Sequence, residues 1–310
     1  MSPIPLIILG GSDRQAGDLP PGVRDRSPIT GAKGAMILVD GRPLVDLLID
    51  RLRAAAGLFE PIYIAGPAAD YAGIASDVEV IDTDEGFGRN VRKAIEFARR
   101  HHPGSSLAMS TCDILPEARE LDALLADYAR ELPCDFWFPI IAVDENTLGV
   151  SDWKPRYRLV PHHGAPVSVL PSHLVIFDPE AMRLEFLYRL LQVGYSTRNR
   201  SVLERRAAFV RQLLFAIVYQ DLRHLASLRA PTVTWDTLRY AYFAARRLRD
   251  GQLTQDELET VIRRMFVRRR HRKRYPDRRA RLPILRGMSL ARDIDTVEEA
   301  AAVGAVTLQV

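Results

Sequence analysis

The apolar positions of the chain follow two rhythms, and the change between them divides the sequence. Short runs rich in β-branched or aromatic residues occupy 4–9 (IPLIIL), 62–65 (IYIA), 78–81 (VEVI), 107–111 (LAMST) and 136–141 (FWFPII), and each reads as a strand. Between them, apolar residues recur three and four positions apart over Pro43 to Ala56, Gly88 to His101 and Glu117 to Leu132, which is helical spacing. Strands alternating with helices of this length predict an α/β fold, a three-layer Rossmann-like architecture whose mostly parallel sheet is covered on both faces. Such sheets bind ligands beyond the carboxyl ends of their strands, which directs attention to Gly10 to Arg14, Asp82 to Asn90 and Cys112 to Pro116.

From about Asp178 the rhythm becomes helical throughout. MRLEFLYRLLQVG, SVLERRAAFVRQLLFAIVYQDLRHLAS and TWDTLRYAYFAARRLRD are followed by LTQDELETVIRRMF, which opens on a capping-type Thr254. The expected organisation is therefore an α/β domain over 1–180, a helical lobe over 181–275, and a closing segment over 276–310 that returns to the α/β domain. Within that closing stretch, RLPILRGMSLARDIDTVEEAAAVGAV reads as a loop or strand leading into an Asp-capped helix. The run RRRHRKRYPDRRAR is expected to form a loop between elements.

Charge sharpens this division. The net charge is +4, yet residues 183–292 carry 26 of the 43 Lys and Arg and only 9 of the 39 Asp and Glu, so the helical lobe is strongly basic and the rest acidic. Two cysteines, Cys112 and Cys134, lack both metal-ligand spacing and disulfide density, which points to a reducing, cytoplasmic setting. The opening MSPIPLIILGG has no basic leader and ends on a glycine pair, so it reads as a buried strand and not a signal peptide. No apolar run approaches the roughly 20 residues that span a bilayer.

Four places carry candidate chemistry. Gly10-Gly11-Ser12-Asp13-Arg14 follows the first strand, where glycines let backbone N–H groups approach a polyphosphate and Arg14 offers a fork of donors; the plain alternative is a turn. Lys33 stands between small residues before a short apolar strand and a Gly-Arg-Pro turn, and its alternative is an exposed surface lysine. Asp113 ends the apolar run SLAMSTCD, a position suited to holding a hard cation. Asp293 and Asp295 in DIDT supply two more carboxylates, although a lone motif of this kind reads equally as a helix cap.

The order of these pieces resembles that of the GT-A-like nucleotidyltransferases, the superfamily of the molybdenum-cofactor guanylyl- and cytidylyltransferases and the sugar-phosphate nucleotidyltransferases. The resemblance covers Ile4 to about Leu132 and again Asp293 to Ala302, and the helical lobe resembles an uncharacterised branch with an Arg-rich helical insertion. In that family a Leu-Ala-Gly-Gly-x-Gly-x-Arg loop wraps a nucleoside triphosphate, a Pro-Lys follows, and a Thr/Ser-x-Asp strand end binds Mg²⁺. The resemblance implies nucleotide binding by Gly10, Gly11, Ser12 and Asn90, catalytic roles for Lys33 and Arg14, and Mg²⁺ held by Asp113 and Asp295, with Asp293 beside it. Leu9, Asp13 and Ala32 depart from the pattern, and Pro116 falls one residue later than in the common Asp-x-Pro. The implied reaction is transfer of a nucleotidyl group from an NTP to a phosphorylated small-molecule acceptor, with release of pyrophosphate.

Other features are read more plainly. His162 and His163 lie where related enzymes bind their acceptor, but solvated imidazoles in a loop are the commoner situation. Trp153, Trp235, Tyr240 and Tyr242 are expected to pack in the core or lobe and not to stack on bases. The basic cluster Arg263 to Arg281 could dock on an anionic membrane, but pairing with the acidic lobe or simple solvation is preferred. No nucleic-acid-binding motif is present, so no nucleic-acid partner is expected. Glycosyl transfer from a nucleotide sugar would normally show an Asp-x-Asp at a central strand end, where Ser110-Thr111-Cys112-Asp113 offers one carboxylate; a non-catalytic nucleotide-binding protein is the remaining alternative.

Overall fold

In the computed structural model of the chain, residues 2–12, 19, 23, 25–55, 57–74, 77–144, 146, 148–152, 154, 156–196, 218, 221–222, 225–226, 233–304 and 306–308 are described. The first apolar run forms β1 (Ile4–Leu9). Ile4, Leu6 and Ile8 belong to one core and Ile7 to another. A strand buried on both faces reads as an unbroken apolar run and shows no alternation.

There follow α1 (Lys33–Met36), β2 (Ile37–Val39), β3 (Arg42–Pro43), α2 (Leu44–Ala54), β4 (Phe59–Gly66), β5 (Glu79–Asp82), α3 (Phe87–His101), β6 (Leu107–Thr111) and α4 (Ala118–Arg130). Next come β7 (Cys134–Trp137), β8 (Ile140–Ala142), β9 (Tyr157–Leu159), β10 (Val167–Pro171), β11 (Leu174–Phe177) and α5 (Leu184–Ser196). The remaining elements are α6 (Val233–Arg249), α7 (Gln255–Phe266), α8 (Arg269–Arg274), β12 (Arg279–Arg281), β13 (Ile284–Leu285), α9 (Val297–Ala301) and β14 (Val306–Leu308).

Seven strands form the central sheet in the order β12-β7-β11-β6-β1-β4-β5. β1 runs parallel to β4 and β6, β4 to β5, and β12 to β7, while β11 alone is antiparallel to its neighbours β6 and β7. The register pairs Leu9 with both Ala65 and Thr111, and Gly66 with Asp82, so the carboxyl ends of β6, β1, β4 and β5 lie side by side. One face of the sheet is covered by α2 and α4 through Val45, Leu48, Leu121 and Leu125, and the other by α3 and α5 through Val91, Ile95, Leu184 and Tyr188. A second sheet, β13-β8-β10-β9, shares a core with Leu248, Leu253, Leu258 and Ile262 of the α6–α7 hairpin, and β14-β2-β3 forms a third sheet.

Two expectations are corrected. The run 136–141 is two strands in different sheets, because Pro139 between them has no N–H for a ladder. The basic run 268–281 contains helix α8, held in place where the Arg272 guanidinium donates to the carbonyls of Arg263, Arg264 and Val267 at the end of α7. A basic side chain at a helix C-terminus satisfies carbonyls that have no partner within the helix. At the start of α7 the hydroxyl of Thr254 accepts from the Glu257 N–H and the Glu257 carboxylate from that of Thr254, the reciprocal cap its sequence suggests. Among the described residues, no helix is long and apolar enough to cross a membrane.

Candidate functional site

The shared edge of β6, β1, β4 and β5 is shaped first by glycines. A Cβ on Gly66 would lie 2.3 Å from the carbonyl oxygen of Gly10, and one on Gly10 would lie 2.5 Å from the Tyr71 hydroxyl oxygen. Bare backbone is thus required where β1 and β4 end, and the Tyr71 hydroxyl donates to the Gly10 carbonyl at 2.9 Å. Gly11 is different: nothing lies within 4 Å of where its Cβ would stand, so the turn is open to solvent. Ser12 beside it is half-buried. Arg14 and Asp13 lie outside the described residues.

The late DIDT segment reaches this edge by backbone pairing. The N–H of Ile294 donates to the Asp113 carbonyl at 2.8 Å, and the N–H of Ile29 donates to that of Asp295 at 2.8 Å. Side-chain oxygens of Asp113, Asp293 and Asp295 consequently lie within 4.8 Å of one another. Lys33 is carried in by the single turn α1, which approaches the end of β6 closely: a Cβ on Gly34 would be 2.9 Å from Cβ of Cys112. The Lys33 ammonium lies 2.6 Å from Asp295 Oδ1 and 3.9 Å from Asp113 Oδ2. Four of the residues singled out in the sequence, Lys33, Asp113, Asp293 and Asp295, therefore meet at one point.

Three further residues complete the cluster, and sequence reasoning did not find them. Lys154 donates to both the carbonyl and the carboxylate of Asp293, and its ammonium is 3.4 Å from both Asp295 Oδ2 and Glu299 Oε1. His173 Nε2 lies 3.6 Å from Asp293 Oδ1. Glu299 accepts from the N–H groups of Asp295 (2.9 Å) and Thr296 (3.2 Å) through Oε2 and from the Ser151 hydroxyl through Oε1. With Thr296 accepting from the Glu299 N–H, this is a reciprocal cap on α9 that fixes the backbone of the DIDT turn. The signal for Lys154 lies in composition: the chain has 4 Lys against 39 Arg, and two of the four are buried here.

Electrostatics distinguishes the carboxylates. Burial and the neighbouring Asp293 raise the Asp113 carboxyl above its ordinary value, although Lys33 and His173 oppose them. Burial also acts to raise Asp295, but the ammonium groups of Lys33 and Lys154 outweigh it and hold this group far below the usual carboxylate range. Lys154 is raised: burial disfavours its charge, and Asp293, Asp295 and Glu299 more than restore it. The Cys112 thiol is pushed up to about 12 by burial, which leaves it protonated and a poor nucleophile at neutral pH.

The donor set suits a hard divalent cation. All three groups are carboxylates, and Asp113 Oδ1 is buried without a hydrogen-bond partner, an acceptor that burial makes costly unless something satisfies it. A pocket of about 310 Å³, lined in part by Ser151, Ser289, Arg292 and Asp293, adjoins the cluster.

Other expectations resolve as follows. Asn90 lies in the first turn of α3, and its side-chain oxygen accepts from the Glu85 N–H at 2.9 Å, shaping the loop after β5. His162 lies 3.2 Å from Asp256, with Glu259 close by, so the His loop meets the start of α7. Glu259 is already engaged by the Leu282 N–H and Arg281. Trp235 and Tyr242 are not packed, being 69% and 67% exposed, because the helical face that carries them points away from the core; Trp153 lies outside the described residues. The basic cluster is split. Arg278 and Arg281 pair with Asp135, Asp178, Glu131 and Glu259, whereas Arg269, Arg270, Lys273 and Arg274 are exposed.

The central sheet and its strand-end edge define the class: this is a Rossmann-like α/β fold with a mostly parallel central sheet. In particular, the chain is similar to a hypothetical transferase from Thermus thermophilus at a TM-score of 0.55 and 18% identity, over 97% of this chain and 100% of that one. Looser likenesses include 4-diphosphocytidyl-2C-methyl-D-erythritol synthase from Anaerococcus prevotii (TM-score 0.42, 11% identity, 97% of this chain and 96% of that one). HddC from Yersinia pseudotuberculosis complexed with GMP-PN gives a TM-score of 0.41 and 15% identity over 60% of this chain and 79% of that one. Neither a protein-family model nor a curated protein matches the sequence.

Proposed function

We propose that this protein is a Mg²⁺-dependent nucleotidyltransferase that transfers a nucleotidyl group from an NTP to a phosphorylated small molecule. The observation that carries this reading is the meeting of Asp113 with Asp293 and Asp295, about 180 positions later in the chain, beside Lys33. Asp113 and Asp295, with Asp293 beside them, would hold Mg²⁺, which when bound supplies neutralisation of phosphate charge. The open backbone at Gly11, with Ser12, is suited to lying against a triphosphate, and Lys33 with Arg14 would stabilise the charge that develops on pyrophosphate. An ionised acceptor phosphate forms the new bond to the α-phosphorus as the bond to the pyrophosphate oxygen breaks, so no general base is needed. Positioning and charge neutralisation are sufficient for such chemistry. A cytoplasmic setting accords with the protonated, unpaired thiols of Cys112 and Cys134.

The test is pyrophosphate release from each NTP against a panel of phosphorylated acceptors. Release of nucleoside diphosphate from a nucleotide sugar would instead indicate glycosyl transfer. Asp113→Ala is expected to lower turnover by at least about 100-fold, the scale on which removal of a charge-stabilising group acts. Wild-type rates in that variant with excess Mg²⁺ would remove Asp113 from the site.

A further inference from the structure

The outer face of α6 belongs to none of the sites above. Trp235, Leu238, Tyr242 and Phe243 are all exposed, at offsets of three, seven and eight positions, and so share one side of the helix. Arg239, Arg246 and Arg249 are exposed on the same turns. None of the three forms an ion pair with the described residues; the Arg239 guanidinium lies 5.9 Å from the Tyr240 ring. The opposite side is occupied: Thr237 is buried, Arg247 pairs with Glu257, and Leu248 packs against the second sheet. At the N-terminal end of α6, the Asp221 carboxylate accepts from the Thr234 N–H at 2.7 Å. Beside Asp221 the helical residues Val218, Leu222 and Leu225, spaced four and three apart, are also exposed.

Rows of large apolar side chains left in water mark an interaction surface. The chemistry of this one is specific: aromatic rings and aliphatic chains with guanidinium groups among and beyond them that form no ion pair with the described residues, within a segment that carries 26 Lys and Arg against 9 Asp and Glu over 183–292. Aromatic rings settle at headgroup level, aliphatic side chains reach the acyl boundary, and arginines meet anionic headgroups while their stems stay in the interface. Single-stranded nucleic acid would also accept rings and arginines, but Val218, Leu222, Leu225 and Leu238 have no π-face on which a base could stack. We propose that the α6 face docks this protein on the surface of an anionic membrane, with the helix lying in the headgroup plane. The docking is independent of the catalytic reading, and the two can fail separately.

The experiment is co-sedimentation of the full chain with vesicles of phosphatidylcholine alone and of phosphatidylcholine mixed with phosphatidylglycerol. Binding is expected to the anionic vesicles only, and to fade between about 0.1 M and about 1 M salt as the screening length contracts. A basic residue near an anionic surface contributes about a five-fold gain in partitioning, so Arg239→Gln/Arg246→Gln/Arg249→Gln should weaken binding on the order of 100-fold. Trp235→Ser/Tyr242→Ser should weaken it at least about ten-fold and abolish the tryptophan quenching that brominated acyl chains produce in the wild type. All five side chains are exposed, so both variants are expected to keep the wild-type circular dichroism spectrum. The proposal is overturned if the wild type fails to sediment with anionic vesicles, if both variants sediment as well as the wild type, or if the chain prefers a single-stranded oligonucleotide to the vesicles.

Discussion

Asp113 must be ionised to hold a cation, yet burial and Asp293 both oppose its charge. Folding raises the pKa of this group, so its ionisation works against the native state at every pH above the ordinary carboxylate value of 3.8. Acid that protonates it relieves the opposition, and the relief is lost as pH rises through the raised value. A residue that lowers stability in this way is expected where function requires it. Asp113→Asn should therefore raise the melting temperature of the metal-free protein at pH 7. If Asp113 holds Mg²⁺ as proposed, Mg²⁺ should stabilise the wild type and not this variant. Differential scanning fluorimetry with and without Mg²⁺ checks both, and a lower melting temperature without metal would show that Asp113 is structural. The sequence marks Asp113 because a buried apolar strand leads directly into it. Lys154 and His173 are not marked this way, since each lies in a loop where no periodicity fixes where its side chain goes.

At the level of elements, the glycines and the caps decide how closely parts of the site approach. Gly66 and Gly34 each occupy a place where a methyl group would collide with backbone or with Cys112, so the ends of β1, β4 and β6 close around bare backbone. The cap on α9 does corresponding work on the DIDT side, because Glu299 holds the N–H of Asp295 as well as that of Thr296. Thr296→Ala removes the hydroxyl that accepts from the Glu299 N–H and should cost about 1 kcal/mol of stability. It should also weaken Mg²⁺ binding although Thr296 is not among the three clustered carboxylates; denaturant melts paired with metal titrations check this, and unchanged Mg²⁺ affinity would detach the cap from the site. Long elements such as β1, α3 and α4 are legible because several residues repeat one pattern. β9, β12 and β13 are two or three residues long, too short to show a period, and they form only because the second sheet and the sheet edge supply partners. β11 is apolar throughout, but its antiparallel direction within a mostly parallel sheet is something local sequence does not encode.

For the whole molecule, the decisive feature is convergence across the chain. The resemblance in the order of motifs suggested that Asp113 and Asp295 would meet, but only the pairing of Ile294 with Asp113 and of Ile29 with Asp295 brings them to one edge. Charge segregation has a corresponding geometry. Carboxylates and two of the four lysines gather at the strand ends, while the arginine-rich segment turns α6 and α8 to solvent. The most direct test of the account is titration of Mn²⁺, followed by its electron paramagnetic resonance signal, into the wild type, Asp113→Asn, Asp295→Asn and the double variant. One ion held jointly predicts that each single variant loses at least about ten-fold in affinity and that the double variant is hardly weaker than either, the non-additivity of groups sharing one partner. Wild-type affinity in either single variant, or losses that simply add, would mean that the two aspartates do not hold the same ion.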